Sequence, residues 1–151
     1  MIVALPLHLL AVIVWVGGMF FAHQILRPST STFEPPVRLA QWRRVFARFF
    51  PWVWVCVLVL LASGYAMVFI GFQGFGDLPL YVHIMQGLGL IMMAAFAHLF
   101  AAPWKRFRRA VDGADWAAAG AQLNQIRAIV TVNLALGIIT VVVAASGRVW
   151  G

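Results

Sequence analysis

Four long apolar stretches leave this 151-residue chain few folds to adopt. They run from about Ile2 to Ile25, Pro51 to Phe72, Leu80 to Ala102 and Ile126 to Ser146. A helix needs about 20 apolar residues to cross a ~30 Å hydrocarbon core, and each stretch is long enough. Inside lipid the backbone must satisfy its own hydrogen bonds, so each stretch is read as a transmembrane helix. The chain is only 10% charged, where a soluble domain carries about 25%. The expected fold is therefore all-α, a single-domain integral membrane four-helix bundle. Pro6 falls where a first helical turn tolerates it, Pro51 suits a helix start, and Pro103 stops the third span. The N-terminus lacks the charged n-region of a secretory signal, so the first span is expected to remain as an anchor.

Charge sets the expected orientation. The net charge of +7 is concentrated in two connections. Arg27, Arg38, Arg43, Arg44 and Arg48 follow the first span, and Lys105, Arg106, Arg108, Arg109 and Arg127 follow the third. The Gly-rich connection around Gln73 and Gly74 has only Asp77, and the C-terminus only Arg148. Basic loops stay in the cytoplasm, so both termini are expected outside a bacterial-type inner membrane. This distribution is a topology signal and argues against a nucleic-acid partner. Val37–Phe50 and Trp104–Gln125 mix Arg with apolar residues. Each reads as an interfacial helix, an extension of a span or a solvated linker. Trp52, Trp54, Trp104 and Trp150 read as interfacial anchors. The single cysteine, Cys56, lies in an apolar run and reads as a packing residue.

The four histidines come in two pairs of equal spacing, His8 with His23 and His83 with His98. Fifteen residues separate the members of a pair, which on a helix is roughly 22 Å along the axis and about 60° around it. Each pair thus shares one helix face and puts an imidazole near each membrane edge. Ionisable groups in lipid are costly and usually functional. The first and third spans run in the same direction. If they face each other, His8 meets His83 and His23 meets His98, and each pair supplies the two axial ligands of a six-coordinate haem iron. Gly17, Gly18, Gly87 and Gly89 leave room for a macrocycle, or equally for close helix packing. Trp15 is placed to pack on a porphyrin. Arg43, Arg44, Arg48 and Lys105 are candidate propionate partners on one side, and Tyr81, Gln73 and Arg148 on the other.

Other metals fit this pattern less well. Zinc wants three or four ligands converging on one point, whereas the histidines split into distant pairs. Copper takes His with Met, and Met19, Met67, Met85, Met92 and Met93 are available without clustering in sequence. The chain shows no nucleophile–base pair, phosphate loop or mid-span carboxylate, so whether it is an enzyme stays open.

The stretch HLLAVIVWVGGMF, from His8 to Phe20, resembles the opening of CopD-like and HemJ-like four-helix membrane proteins. WRRVF, from Trp42 to Phe46, resembles the Arg-rich approach to their second span, and YVHI, from Tyr81 to Ile84, the HemJ-type third span. The HemJ resemblance implies haem b and protoporphyrinogen IX oxidation, with His8 and His83 at the haem. The CopD resemblance implies copper resistance or uptake. The chain departs from the HemJ pattern where Met85 and Gln86 follow Ile84 in place of a closely following Lys. It departs again where Asn124-Gln125-Ile126-Arg127 replaces an Asn-Glu stretch.

The sequence therefore points first to a membrane cytochrome carrying two haems b per chain. It would pass electrons across the bilayer to or from a quinone, a quinol or a periplasmic redox partner, and it could be a homo-oligomer. A HemJ-like oxidase and a CopD-like copper-handling protein are the alternatives.

Overall fold

In the computed structural model, residues 2–76 and 78–150 are described; Asp77 and the side chain of Arg148 lie outside them. The described residues are helical throughout, with no strand. Helix α1 spans Ala4–Ser29 and α2 spans Pro35–Gly71. Then come α3 at Leu80–Ala101, α4 at Pro103–Asp112 and α5 at Trp116–Trp150. Four of these helices are long and apolar enough to cross a membrane.

Local chemistry explains most of the boundaries. Pro35 and Pro36 open α2, where their missing N–H groups lack partners in any case. Gln73 and Gly74 take positive φ in the α2–α3 turn, a conformation that only glycine adopts without strain. Pro103 pushes Ala102 off helical geometry, to φ −123° and ψ −71°. The chain bends there, and α4 begins. Asp115 caps α5 by accepting the Ala118 N–H at 3.0 Å.

Two expectations are corrected here. Pro51 does not start a helix; it sits inside α2, which already begins at Pro35. The ring of Pro51 faces outward, and the turns before it are held by Leu39, Trp42, Phe46 and Phe50, all buried. Tertiary packing thus carries the helix through a residue that disfavours it. Likewise, residues 104–125 are no solvated linker, because they form α4 and the start of α5. Helix α4 turns Trp104, Phe107 and Val111 inward and leaves Lys105, Arg106, Arg108 and Arg109 outside.

The long helices pair in twos: α1 lies along α2 and α3 along α5, α4 packs on α5, and α5 also touches α1 and α2. Glycines set the closest approaches. The Phe49 ring covers Gly18, the Tyr81 ring covers Gly147, and Val16 and Met92 close on Gly137. α1 and α3 therefore do not face each other along their length, as the histidine pairing required. They meet where Trp15 touches Phe96 edge-on, with centroids 6.2 Å apart.

Outward-facing residues mark the membrane edge. On α2 they change from Arg44 and Arg48 to Trp52, Val55 and Leu58. At ~1.5 Å per residue the 37-residue α2 is roughly 55 Å long, well beyond a ~30 Å core. Its N-terminal turns, α4 and the start of α5 thus form a basic end outside the hydrocarbon. An aromatic core fills this end, with Phe46 stacked on Phe50 at 5.0 Å and Trp104 edge-on to Phe50 at 5.2 Å. Trp54 and Trp104 belong to this core and not to an interfacial belt. Trp52 alone of the α2 tryptophans faces out.

Candidate functional site

Each histidine has a different setting. His8, in the second turn of α1, is half-buried against α2. Its Nδ1 lies 2.9 Å from Ser63 Oγ. Ser63 already donates its hydroxyl proton to the Val59 carbonyl at 2.5 Å. The Ser63 oxygen must then accept from His8, which puts the ring proton on Nδ1 and leaves a lone pair on Nε2. Gly64 makes the approach possible, since a Cβ there would lie 3.4 Å from His8 Cε1. An open apolar cavity of about 720 Å³ runs between α1 and α2 beside this pair, lined by Leu7, Val59, Ala62, Ser63 and Ala66 among others.

His23 sits at the other end, in a π-helical segment, Ala22–Leu26. The Arg27 N–H bonds back five residues to the Ala22 carbonyl. Pro28 follows immediately and has no N–H to offer the preceding turn, which favours the widened register. The Nδ1 of His23 is buried without a hydrogen-bond partner. A second π segment, Met67–Gly71, ends α2.

His83 and His98 both face outward from α3. Within one chain, then, His8 turns to Ser63 on α2, His23 turns into the α1–α2–α5 junction, and the α3 histidines turn away from the bundle. The pairs His8–His83 and His23–His98 are not brought together. Among the described residues, no group of three or more His, Cys, Asp or Glu could hold a metal ion.

Of the other expected haem contacts, Trp15, Gly18 and Arg43 are engaged elsewhere. Trp15 is buried against Phe96. The Phe49 ring fills the space at Gly18, while Gly17, Gly87 and Gly89 meet nothing. Arg43 pairs with Asp112, Nε lying 2.7 Å from Oδ1 and Nη2 donating to Oδ2 at 3.0 Å. Arg44, Arg48 and Lys105 are exposed. A bis-histidine haem inside a single chain therefore does not fit these residues. Cys56 is buried and free, as expected of a packing residue.

Three residues matter that the histidine pattern did not indicate. Ser63 orients His8. Asn133, buried in α5, donates to the Met92 carbonyl of α3 at 3.1 Å. Arg127 lies over the Trp42 ring at 5.6 Å. Their shared signal is visible in the sequence: each is a polar residue in or beside an apolar span.

The family model described as "Copper resistance protein D", CopD, matches residues 43–146, well over half of the chain. The match includes His83, His98 and all of α3 and α4, and begins after α1 with its two histidines. No curated protein and no solved structure matches the chain.

Proposed function

The chain belongs to the CopD family, and on that premise we propose that it handles copper within the membrane, as a resistance or uptake component. The family match is the observation that carries this reading. Copper is the cargo, and His8 is the side chain best prepared to meet it. A ligating imidazole needs one nitrogen free and the other fixed by a hydrogen bond, which is the state in which Ser63 holds His8. The open apolar cavity reached at Ser63, the partner of His8, suits a soft ion shed of water, and His and Met are the ligand types copper takes. By the positive-inside rule, we place the basic end in the cytoplasm, both termini outside, and the chain in a bacterial-type plasma membrane. His8 then lies near the outer face.

The test is Cu(I) binding by the purified chain in competition with a chromogenic chelator. His8→Ala is expected to abolish the tightest site. Ser63→Ala should weaken it about 10- to 100-fold, as loss of an orienting hydrogen bond does. Unchanged affinity in His8→Ala would remove His8 from the reading.

A second reading, haem b, is favoured by one observation. His83 and His98 share an outward face of α3, so two copies side by side would present matched imidazoles near both membrane edges. Electron transfer with a quinol, or HemJ-like porphyrin oxidation, would rest on that arrangement. A pyridine haemochrome assay on the purified protein decides it: a preparation that binds copper and contains no haem dismisses this reading.

A further inference from the structure

The outward face of α3 differs from those of its neighbours. α1 turns bulky Leu9, Leu10, Ile13 and Val14 to lipid, and α2 turns Val55 and Leu58. On α3 the exposed series His83, Gly87, Leu90, Ala94, Ala97 and Ala101 advances by four and three residues in turn. That is a seven-residue repeat, the period of a seam between two helices crossing at about +20°. A helix that faces only lipid has no need of it. Nothing within the chain uses this face. A Cβ at Gly87 would meet no atom within 4 Å, so the chain's own packing does not call for a residue that weakens a helix interior. Outward polar groups elsewhere are satisfied at home. Thr131 and Ser146 donate to carbonyls of their own helix, and Tyr65 accepts from Gln86. The exposed imidazole of His83 has no such partner among the described residues, and an ionisable group turned to lipid is costly unless it finds one.

We propose that this face is covered by the same face of a second copy of the chain. Both copies cross the bilayer in one orientation, so the twofold axis lies along the membrane normal and each seam residue meets itself. An imidazole suits that symmetry. Its neutral form carries one donor and one acceptor, whichever nitrogen holds the proton, so one His83 donates to the other. Gly87, Ala94, Ala97 and Ala101 let the two backbones come close, the packing that joins helices in lipid. Lys105 and Arg106, which two copies bring nearer each other, lie beyond the hydrocarbon, where salt screens them. The seam is independent of the copper reading. It competes with haem b, because helices about 8–10 Å apart leave no room for a macrocycle between them.

Cross-linking of the full chain in membranes tests this. Cys56, the single cysteine, is first replaced by alanine. A disulfide forms only between Cα atoms closer than about 7 Å. Ala94→Cys should therefore link two chains on oxidation by iodine, and Leu58→Cys, on the outward face of α2, should not. Energy transfer between labelled chains diluted in phosphatidylcholine vesicles gives the dissociation constant of the dimer. Gly87→Trp overfills the seam and should raise that constant about tenfold or more, while its side chain meets nothing in its own chain. His83→Leu should raise it about threefold, the worth of one interhelical hydrogen bond in a membrane. If the cysteine-free background fails to fold, the energy-transfer measurement decides alone. The proposal is overturned if Ala94→Cys links chains no more than Leu58→Cys does, or if Gly87→Trp leaves the dissociation constant unchanged. An unchanged constant in His83→Leu overturns the imidazole pair.

Discussion

The two ends of this bundle are built differently. The basic end, formed by the first turns of α2, by α4 and by the start of α5, is closely packed. Phe107 and Ile126 are fully buried there, and Leu39 and Leu123 nearly so. Aromatic pairs run without a break from Trp42 through Phe46 and Phe50 to Phe96. The opposite end is open. Leu5, Leu9 and Ile13 face outward from α1, as do Leu80 and Leu90 from α3, and an open apolar groove runs where the first turns of α1 meet α2 near Ser63. The contrast follows from the surroundings. Where helices leave the hydrocarbon, water drives apolar side chains together. Within lipid that force is absent, and helices associate through small residues, close packing and polar contacts. The open end accordingly relies on His8–Ser63 and on Tyr81 over Gly147. It is also where a side chain with a free nitrogen lies beside space.

The largest expected effect lies at the closed end. Phe107→Ala should cost about 3–5 kcal/mol, as for other fully buried aromatics. Leu58→Ala, 64% exposed to lipid, should change stability by less than about 0.5 kcal/mol. Denaturation of both variants in the same detergent checks this, and similar losses would mean that packing is uniform along the bundle.

Next comes the fit of α3 on α5 at the open end. A Cβ at Gly147 would strike the root of the Tyr81 side chain, which cannot swing clear without moving α3. Gly147→Ala is expected to cost about 1–3 kcal/mol. At Gly18 the obstacle is the tip of the Phe49 ring, which can rotate, so Gly18→Ala should cost less. Melting temperatures of the two variants test that order, and its reversal would place the tighter helix contact at Gly18.

Asn133 stands between the two ends. Asn133→Ala removes its bond to the Met92 carbonyl. The expected loss is about 0.6 kcal/mol and at most ~1.7, the range for interhelical hydrogen bonds in membranes. A larger loss, read from the same denaturation experiment, would show that the buried amide orders more of the α3–α5 contact than this one bond.

A small effect is also expected of the partly exposed pair Arg43–Asp112. Its removal by Asp112→Ala should cost no more than about 1 kcal/mol. Added salt should shrink the difference further, so a loss unaffected by salt would point to packing at Arg43 in place of charge.

Much of this was legible in the sequence, because it is local. Bilayer thickness turns apolar length into a count of spans, and lysine and arginine mark which helix ends gather together. Both properties are read from one segment at a time. Pro103 ended a helix as its ring geometry requires. Pro51 did not, because Phe46 found partners on α4 and Trp42 one on α5 that no local pattern announces. The histidines show the same division. Their spacing gave two faces, one on α1 and one on α3, and both are real helical faces. Which neighbour each face meets depends on how four cylinders are ordered and rotated, and side-chain fits far apart in the chain decide that. Phe49 over Gly18 and Ser63 beneath His8 turned α1 towards α2, while Tyr81 over Gly147 and Asn133 on Met92 turned α3 towards α5. The sequence by itself determined a four-span membrane protein with one basic end and histidines set in its spans. Only the tertiary structure decided that His8 answers to a serine and that His23 lies where α1 meets α2 and α5, since contact energies between distant segments fix helix rotation and periodicity carries none of them.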